Sequence, residues 1–166
     1  ENAIRSVQEF DKNLRSINVA SCAPAPLWSL LPELSARFPK NTVTSQLMDI
    51  PKIIAAVSAG RQDIGILPFE CHDKGLVDMV YIKEDLAVCV PPESPLAELE
   101  EVSFAELNGF NCLLRDQLGF WTEMCQRKMP ASRFLIQTDT SEFYELVKAS
   151  TLLCFTTKLA NPAGTI

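Results

Sequence analysis

The sequence predicts an α/β fold arranged as two lobes that face a cleft. Three observations carry this: a β-α-β-α-β alternation over residues 16–69, a second alternation over residues 103–156, and a proline-rich acidic stretch, PPESPLAELEEV, between them. Strands that alternate with helices imply parallel sheets joined by right-handed crossovers. With 166 residues, 47% of them hydrophobic, the chain can bury a substantial core as one domain or as two small lobes.

Each element has its own signal. Ile4, Val7, Phe10 and Leu14 recur at helical spacing in residues 1–15, too few repeats for a coiled coil. SINVAS (16–21) reads as a strand, and Leu27, Leu30, Leu31, Leu34 and Phe38 then share one helical face. Pro32 is tolerated only within a first turn, so Ser29 is the expected N-cap, with Pro39 as the stop. TVTSQLMD (42–49) alternates like a strand. The helix 50–60 is expected to begin with Asp49 as cap and Pro51 in its first turn, and to end at Gly60. DIGILPF (63–69) is a continuous apolar run of the kind buried on both faces. Two short strands are expected within residues 79–92. The second alternation then reads helix 103–108, strand 110–115, helix 119–128, strand 133–138, helix 141–149 and strand 152–156.

Charge and composition exclude several functions. The net charge is −6 and no basic patch gathers, so this piece carries no nucleic-acid footprint. No apolar run is long enough to span a bilayer, and ENAIRSVQEF is unlike a signal peptide. Cysteines at 22, 71, 89, 112, 125 and 154 lack any C-x-x-C or zinc-like spacing, and four of them sit in apolar segments. Reduced thiols and a cytoplasmic location are the expectation.

Catalytic chemistry finds no support either. His72 is the only histidine, and its ECHDKG setting reads as a surface turn, because neighbours in an extended chain point to opposite sides. Ser21 lies in no nucleophile elbow, and neither G-x-G-x-x-G nor a Walker motif is present. No catalytic residue, metal or cofactor is expected.

Binding has more support. Ligands of open parallel sheets sit outside the carboxyl ends of the strands, next to helix N-termini. Those positions are Ser21–Pro26, Asp49–Pro51 and Pro68-Phe69 in the first half, and Arg115–Phe120 and Thr138–Ser141 in the second. Ser21, Gln117, Thr140 and Ser141 offer polar groups there, Arg115 offers a charge, and helix N-termini favour carboxylate or phosphate. Ser141, with Glu145 downstream, equally fits a helix cap. Trp28 and Trp121 are expected in the core, and Phe120 in either the core or a pocket wall.

Taken together, Leu30-Leu31-Pro32, Phe38-Pro39, Gly60 with Asp63-Ile64-Gly65-Ile66, and Leu86–Pro91 with Ser94-Pro95-Leu96 resemble the effector-binding domain of LysR-type transcriptional regulators. FNCLLRDQLGFW and TDTSEFYELVKASTLLCFTTKLA follow in the order of that family's second lobe. The resemblance implies two Rossmann-like lobes similar to type 2 periplasmic binding proteins, with a small-molecule inducer, possibly anionic, in the cleft. It implies residues 1–16 as the end of a linker helix, 17–86 as the first lobe and 87–166 as the second. A winged helix-turn-helix would precede them, and a further segment after NPAGTI would return to complete the first lobe. DNA would be met only through the absent N-terminal part, no membrane is involved, and a homodimer or homotetramer is expected. Carried over by position, the inducer contacts are Ser21, Cys22, Ala23 and Pro24; Asp49 and Ile50; Pro68 and Phe69; and Arg115, Gln117, Gly119, Phe120, Thr140 and Ser141. Two alternatives stand beside this: a solute-binding protein of a transporter, and a thiol-based redox sensor using Cys112 or Cys125.

Overall fold

The computed structural model describes residues 16–116 and 118–160, so the amphipathic pattern of residues 1–15, Gln117 and the NPAGTI tail lie outside the described residues. The chain divides into two compact units between Tyr81 and Ile82.

In the first unit, β1 (Ser16–Ser21) is flanked by β2 (Thr42–Leu47) and β3 (Ile64–Ile66), all parallel, in the order β2-β1-β3. Asn18 ties the three strands together. Its side-chain oxygen accepts from Thr44 Oγ1 at 2.8 Å, and its backbone N–H donates to Asp63 Oδ2 at 2.8 Å. Asp63 is thus the clasp that sets β3 in register against β1. Helix α1 (Ala25–Arg37) follows β1 and α2 (Ile50–Ser58) follows β2. The end of α2 is a Schellman motif: Gly60, at φ 66°, donates to Val57 O and Arg61 N–H donates to Ala56 O. At Gly65 an added Cβ would lie 2.8 Å from Ile53 Cγ2 and 2.9 Å from Val57 Cγ2, so α2 packs on β3 at a distance only glycine permits.

Several sequence expectations change here. Helix α1 starts one turn early, with Pro24 as N-cap and Pro26 in the first turn, so Ser29 is not the cap and Pro32 falls inside the helix. The Trp28 carbonyl loses the N–H that Pro32 lacks, a loss that costs less here because both residues are exposed to solvent. Trp28 is 55% exposed rather than core. β3 has three residues at a sheet edge and is not buried on both faces. Residues 79–92 contain one strand, not two: β4 (Leu86–Cys89).

The second unit is a four-stranded sheet in the order β4-β7-β5-β6. β5 (Asn111–Arg115) runs parallel to both β6 (Arg133–Gln137) and β7 (Leu153–Thr157), and β4 closes the edge antiparallel to β7. Alternating side chains separate two apolar layers. Cys112, Leu114, Leu153 and Phe155 meet Leu107 of α3 (Phe104–Leu107) and Cys125 of α4 (Phe120–Lys128) on one face. Leu113 and Cys154 meet Phe143, Leu146 and Val147 of α5 (Thr140–Ala149) on the other. A capping box starts α3: Ser103 Oγ accepts from Glu106 N–H at 3.3 Å, while Glu106 Oε2 accepts from Ser103 N–H at 2.8 Å. Asp139, not Ser141, caps α5, accepting from Glu142 N–H at 2.9 Å.

Candidate functional site

The strand ends of the two units differ in what they offer. At the end of β1, Ser21 is fully buried, and its hydroxyl donates to Ala23 O at 2.5 Å while accepting from Ala23 N–H at 3.2 Å. The backbone continues the ladder for one more residue on each side: Cys22 N–H donates to Ile66 O, and Met48 N–H to Ser21 O. Cys22 and Ala23 are buried and Pro24 half-buried. The small side chains of Ser21, Cys22 and Ala23 permit that burial.

Around α2, Asp49 stands at the N-cap position as expected, yet its side chain makes no capping bond. The carboxylate instead accepts from Lys52 Nζ at 2.6 Å, and this partner raises the Lys52 pKa above its ordinary value. Ile50 is half-buried, while Pro68 and Phe69 are exposed, Phe69 by 54%. His72 is exposed near Glu70, the surface turn its context suggested.

The second unit gathers its predicted residues more closely. Arg115 and Gln137 are the last residues of β5 and β6 and lie opposite each other in register. Arg115 Nη2 donates to Thr140 Oγ1 at 2.8 Å, and its guanidinium carbon lies 5.9 Å from the Phe143 ring centroid. Thr140 is the first residue of α5, so the bond joins a strand end to a helix start, with Ser141 exposed beside it. Among the described residues, no carboxylate lies within ion-pair distance of Arg115. A guanidinium has five N–H donors, which leaves donors beyond the one that Thr140 takes.

Gly119 caps α4 at φ 62° and ψ −138°, a conformation L-residues rarely adopt. Phe120 and Trp121 follow with ring centroids 4.5 Å apart, both half-buried. Trp121 Nε1 and Thr122 Oγ1 in that first turn are buried and find no partner among the described residues. Sequence reading missed Gln137 and Glu142. Gln137 Oε1 accepts from the N–H groups of Thr138 and Asp139, and its amide donates to Glu142 Oε2 at 3.0 Å, bracing the loop that carries Thr140. The i, i+5 spacing of an amide and a carboxylate across a strand–helix junction was the available signal.

Cys112 and Cys125, the residues of the redox alternative, are fully buried, and burial pushes both thiols up to about 11. They remain protonated at neutral pH, which is the wrong state for a nucleophile.

Two α/β units, each with helix starts at the carboxyl ends of parallel strands, match the regulatory domains of type 2 periplasmic-binding-protein fold. Residues 16–158 match the LysR substrate binding domain, and the chain belongs to that family, the effector-binding domains of LysR-type transcriptional regulators. Its fold is similar to the reduced OxyR regulatory domain from Pseudomonas aeruginosa, with a TM-score of 0.63 at 17% identity, covering 93% of this chain and 77% of that one. It is also similar to an OxyR mutant from Porphyromonas gingivalis, with a TM-score of 0.63 at 21% identity, covering 87% and 70%. Full-length CbnR in complex with its target DNA gives a TM-score of 0.59 at 16% identity, covering 97% of this chain and 63% of that one. No curated protein sequence matches the chain. Among the described residues, no helix is long and apolar enough to cross a membrane.

Proposed function

We propose that this domain senses a small anionic effector, and that Arg115 is its principal anchor. The observation that carries this is the Arg115 guanidinium, held at a strand end by Thr140 Oγ1 with no carboxylate partner among the described residues. It is bonded to the first residue of α5, where the helix dipole favours negative charge. The unpartnered Trp121 Nε1–H and Thr122 hydroxyl add donors in the same stretch, which suits a ligand rich in acceptors. Gln117, Gly119, Phe120 and Ser141 complete the proposed contacts in this unit.

In the first unit the proposed contacts are Ser21, Cys22, Ala23, Pro24, Asp49, Ile50, Pro68 and Phe69. The buried ones act through backbone and shape, since the Ser21 hydroxyl is already engaged within its own turn. We draw the proposed lobe boundary between Tyr81 and Ile82, where the two compact units part, rather than at residues 86–87, and end the proposed linker helix before Ser16, which opens β1. The protein works in the cytoplasm as a homodimer or homotetramer, meets DNA through a separate domain, and catalyses no reaction. An effector acts by binding one conformation better than another, because equal affinity shifts nothing.

A thermal-shift panel of mono- and dicarboxylates, amino acids and aromatic acids tests this reading, with Arg115→Ala beside the wild type. At least one carboxylate is expected to raise the wild-type Tm and to leave the Tm of Arg115→Ala unchanged. An equal rise in both proteins would remove Arg115 as the anchor.

A further inference from the structure

The two strands on the β4 side of the second sheet hold two facing thiols that the effector reading does not use. Cys89 is the last residue of β4, and in the antiparallel pairing it stands directly opposite Cys154 of β7. Opposed residues of an antiparallel pair have Cα atoms about 4.5 or 5.5 Å apart, and both spacings fall inside the roughly 4.4–6.8 Å that a disulfide spans. The side chains point to the same face, since both pack with Leu113 and Phe143, while Val88 and Phe155 turn to the other. All six cysteines are reduced in this structure.

We propose that Cys89 and Cys154 form a reversible cross-strand disulfide, made when the protein meets a low-molecular-weight disulfide. The two thiols differ as the two steps need. Cys89 is half-buried, and a hydrogen bond from the Cys154 thiol holds its pKa below the ordinary value. Cys154 is 3% exposed, and giving that hydrogen bond, together with burial, pushes its pKa up. Cys89 is therefore the entry point and Cys154 the resolving group.

In the first step the Cys89 thiolate attacks one sulfur of the small disulfide. That S–S bond breaks, and one small thiolate leaves and takes a proton from solvent. In the second step the hydrogen bond that held the Cys154 proton is gone, and Cys154 attacks the Cys89 sulfur of the mixed disulfide; the Cys89–small-thiol bond breaks, and the departing thiolate takes the Cys154 proton and leaves as the second small thiol. Two protein thiols are oxidised to one disulfide, and one small disulfide is reduced to two thiols. Within the second unit the remaining two sulfurs are set apart from this pair. Cys112 and Cys125 belong to the opposite apolar layer, and Cys112 lies in register with Leu153 rather than Cys154. The new bond would tie the first strand of the second unit to β7 and close a long loop, which restricts the unfolded chain.

The test equilibrates the 166-residue chain in mixtures of a reduced and an oxidised monothiol, quenches with acid, alkylates, and maps peptides without reduction. The expected product is one linked pair carrying Cys89 and Cys154, reversed by dithiothreitol, with a Tm several degrees above the reduced form. Cys89→Ser is expected to lose both the link and the Tm rise, and Cys71→Ser to keep both. Should Cys89→Ser fail to fold, the wild-type peptide map and Tm difference decide alone. The proposal is overturned if both thiols still alkylate in the most oxidising mixture, if a mixed disulfide at Cys89 accumulates uncaptured, or if other cysteines are linked instead. No effector is present in the experiment, so its outcome is independent of the effector reading.

Discussion

The two units share a local plan and use it differently. Both lead parallel strands into helices, yet the strand end of β1 turns its polar group inward, whereas the strand ends of β5 and β6 present theirs. Ser21 is closed on Ala23 within its own turn, while Arg115 reaches across to Thr140 and keeps donors in reserve. The cores differ in the same direction. The second sheet has an apolar layer on each face, whereas in the first sheet β2 is largely exposed and only the last half of β1 is fully buried. A hydroxyl beside a helix start is therefore no measure of a binding site until its own backbone is accounted for. A long cationic side chain braced by a neighbouring element is better evidence.

Mutations can break or sharpen that contrast, and the two tryptophans allow each unit to be followed separately, because Trp28 lies in the first and Trp121 in the second. The largest effect is expected from Leu114→Ala, which empties a fully buried position between sheet and helices and costs about 2–5 kcal/mol. Leu30→Ala, at a half-buried position on α1, is expected to cost about 1 kcal/mol. Urea unfolding of the two variants checks the pair, and equal losses would contradict the difference in core. Next comes Gly65→Ala, where the new methyl meets Ile53 and Val57 and costs about 1–3 kcal/mol in the Trp28 signal.

Smallest is Ser103→Ala, which removes the α3 capping box and costs about 1 kcal/mol near neutral pH. The hydrogen bonds from Ser103 hold the Glu106 carboxyl below its ordinary value. Their contribution is complete above the ordinary glutamate range and is lost as pH falls through the lowered value of the folded state. The gap between wild type and Ser103→Ala should accordingly narrow in acid, and a gap that stayed constant would show that Glu106 takes no part.

Strand and helix order could be read from sequence because hydrophobic period and turn residues are local. Gly60, Ser16–Ser21 and the alternation after residue 103 all carry their signal within a few residues. Starts of helices were less legible where two residues offer the same cue. Pro24 and Pro26 compete with Ser29 at α1, and Asp139 competes with Ser141 at α5; the structure takes the earlier residue in both cases. Pro32 misled because its penalty depends on whether its turn faces water, which only packing decides. The run 63–69 looked doubly buried because a continuous apolar stretch does not say whether its strand is central or at an edge. Arg115 was visible as a charge at a strand end, but its bond to Thr140 and the Gln137–Glu142 brace require β5, β6 and α5 to be adjacent. The Cys89–Cys154 pairing depends on strand register and left no trace in spacing.

The central claim is that an anionic effector binds at the carboxyl ends of β5 and β6. The most direct measurement is a backbone amide chemical-shift titration of the isotope-labelled chain with the strongest carboxylate from the panel, on wild type and Arg115→Ala. The account predicts saturable shifts clustered at residues 115–122 and 137–142 in the wild type, lost on removal of the guanidinium. Shifts that bypass these residues, clustering instead at the exposed Val77–Tyr81 stretch or persisting in Arg115→Ala, would contradict it.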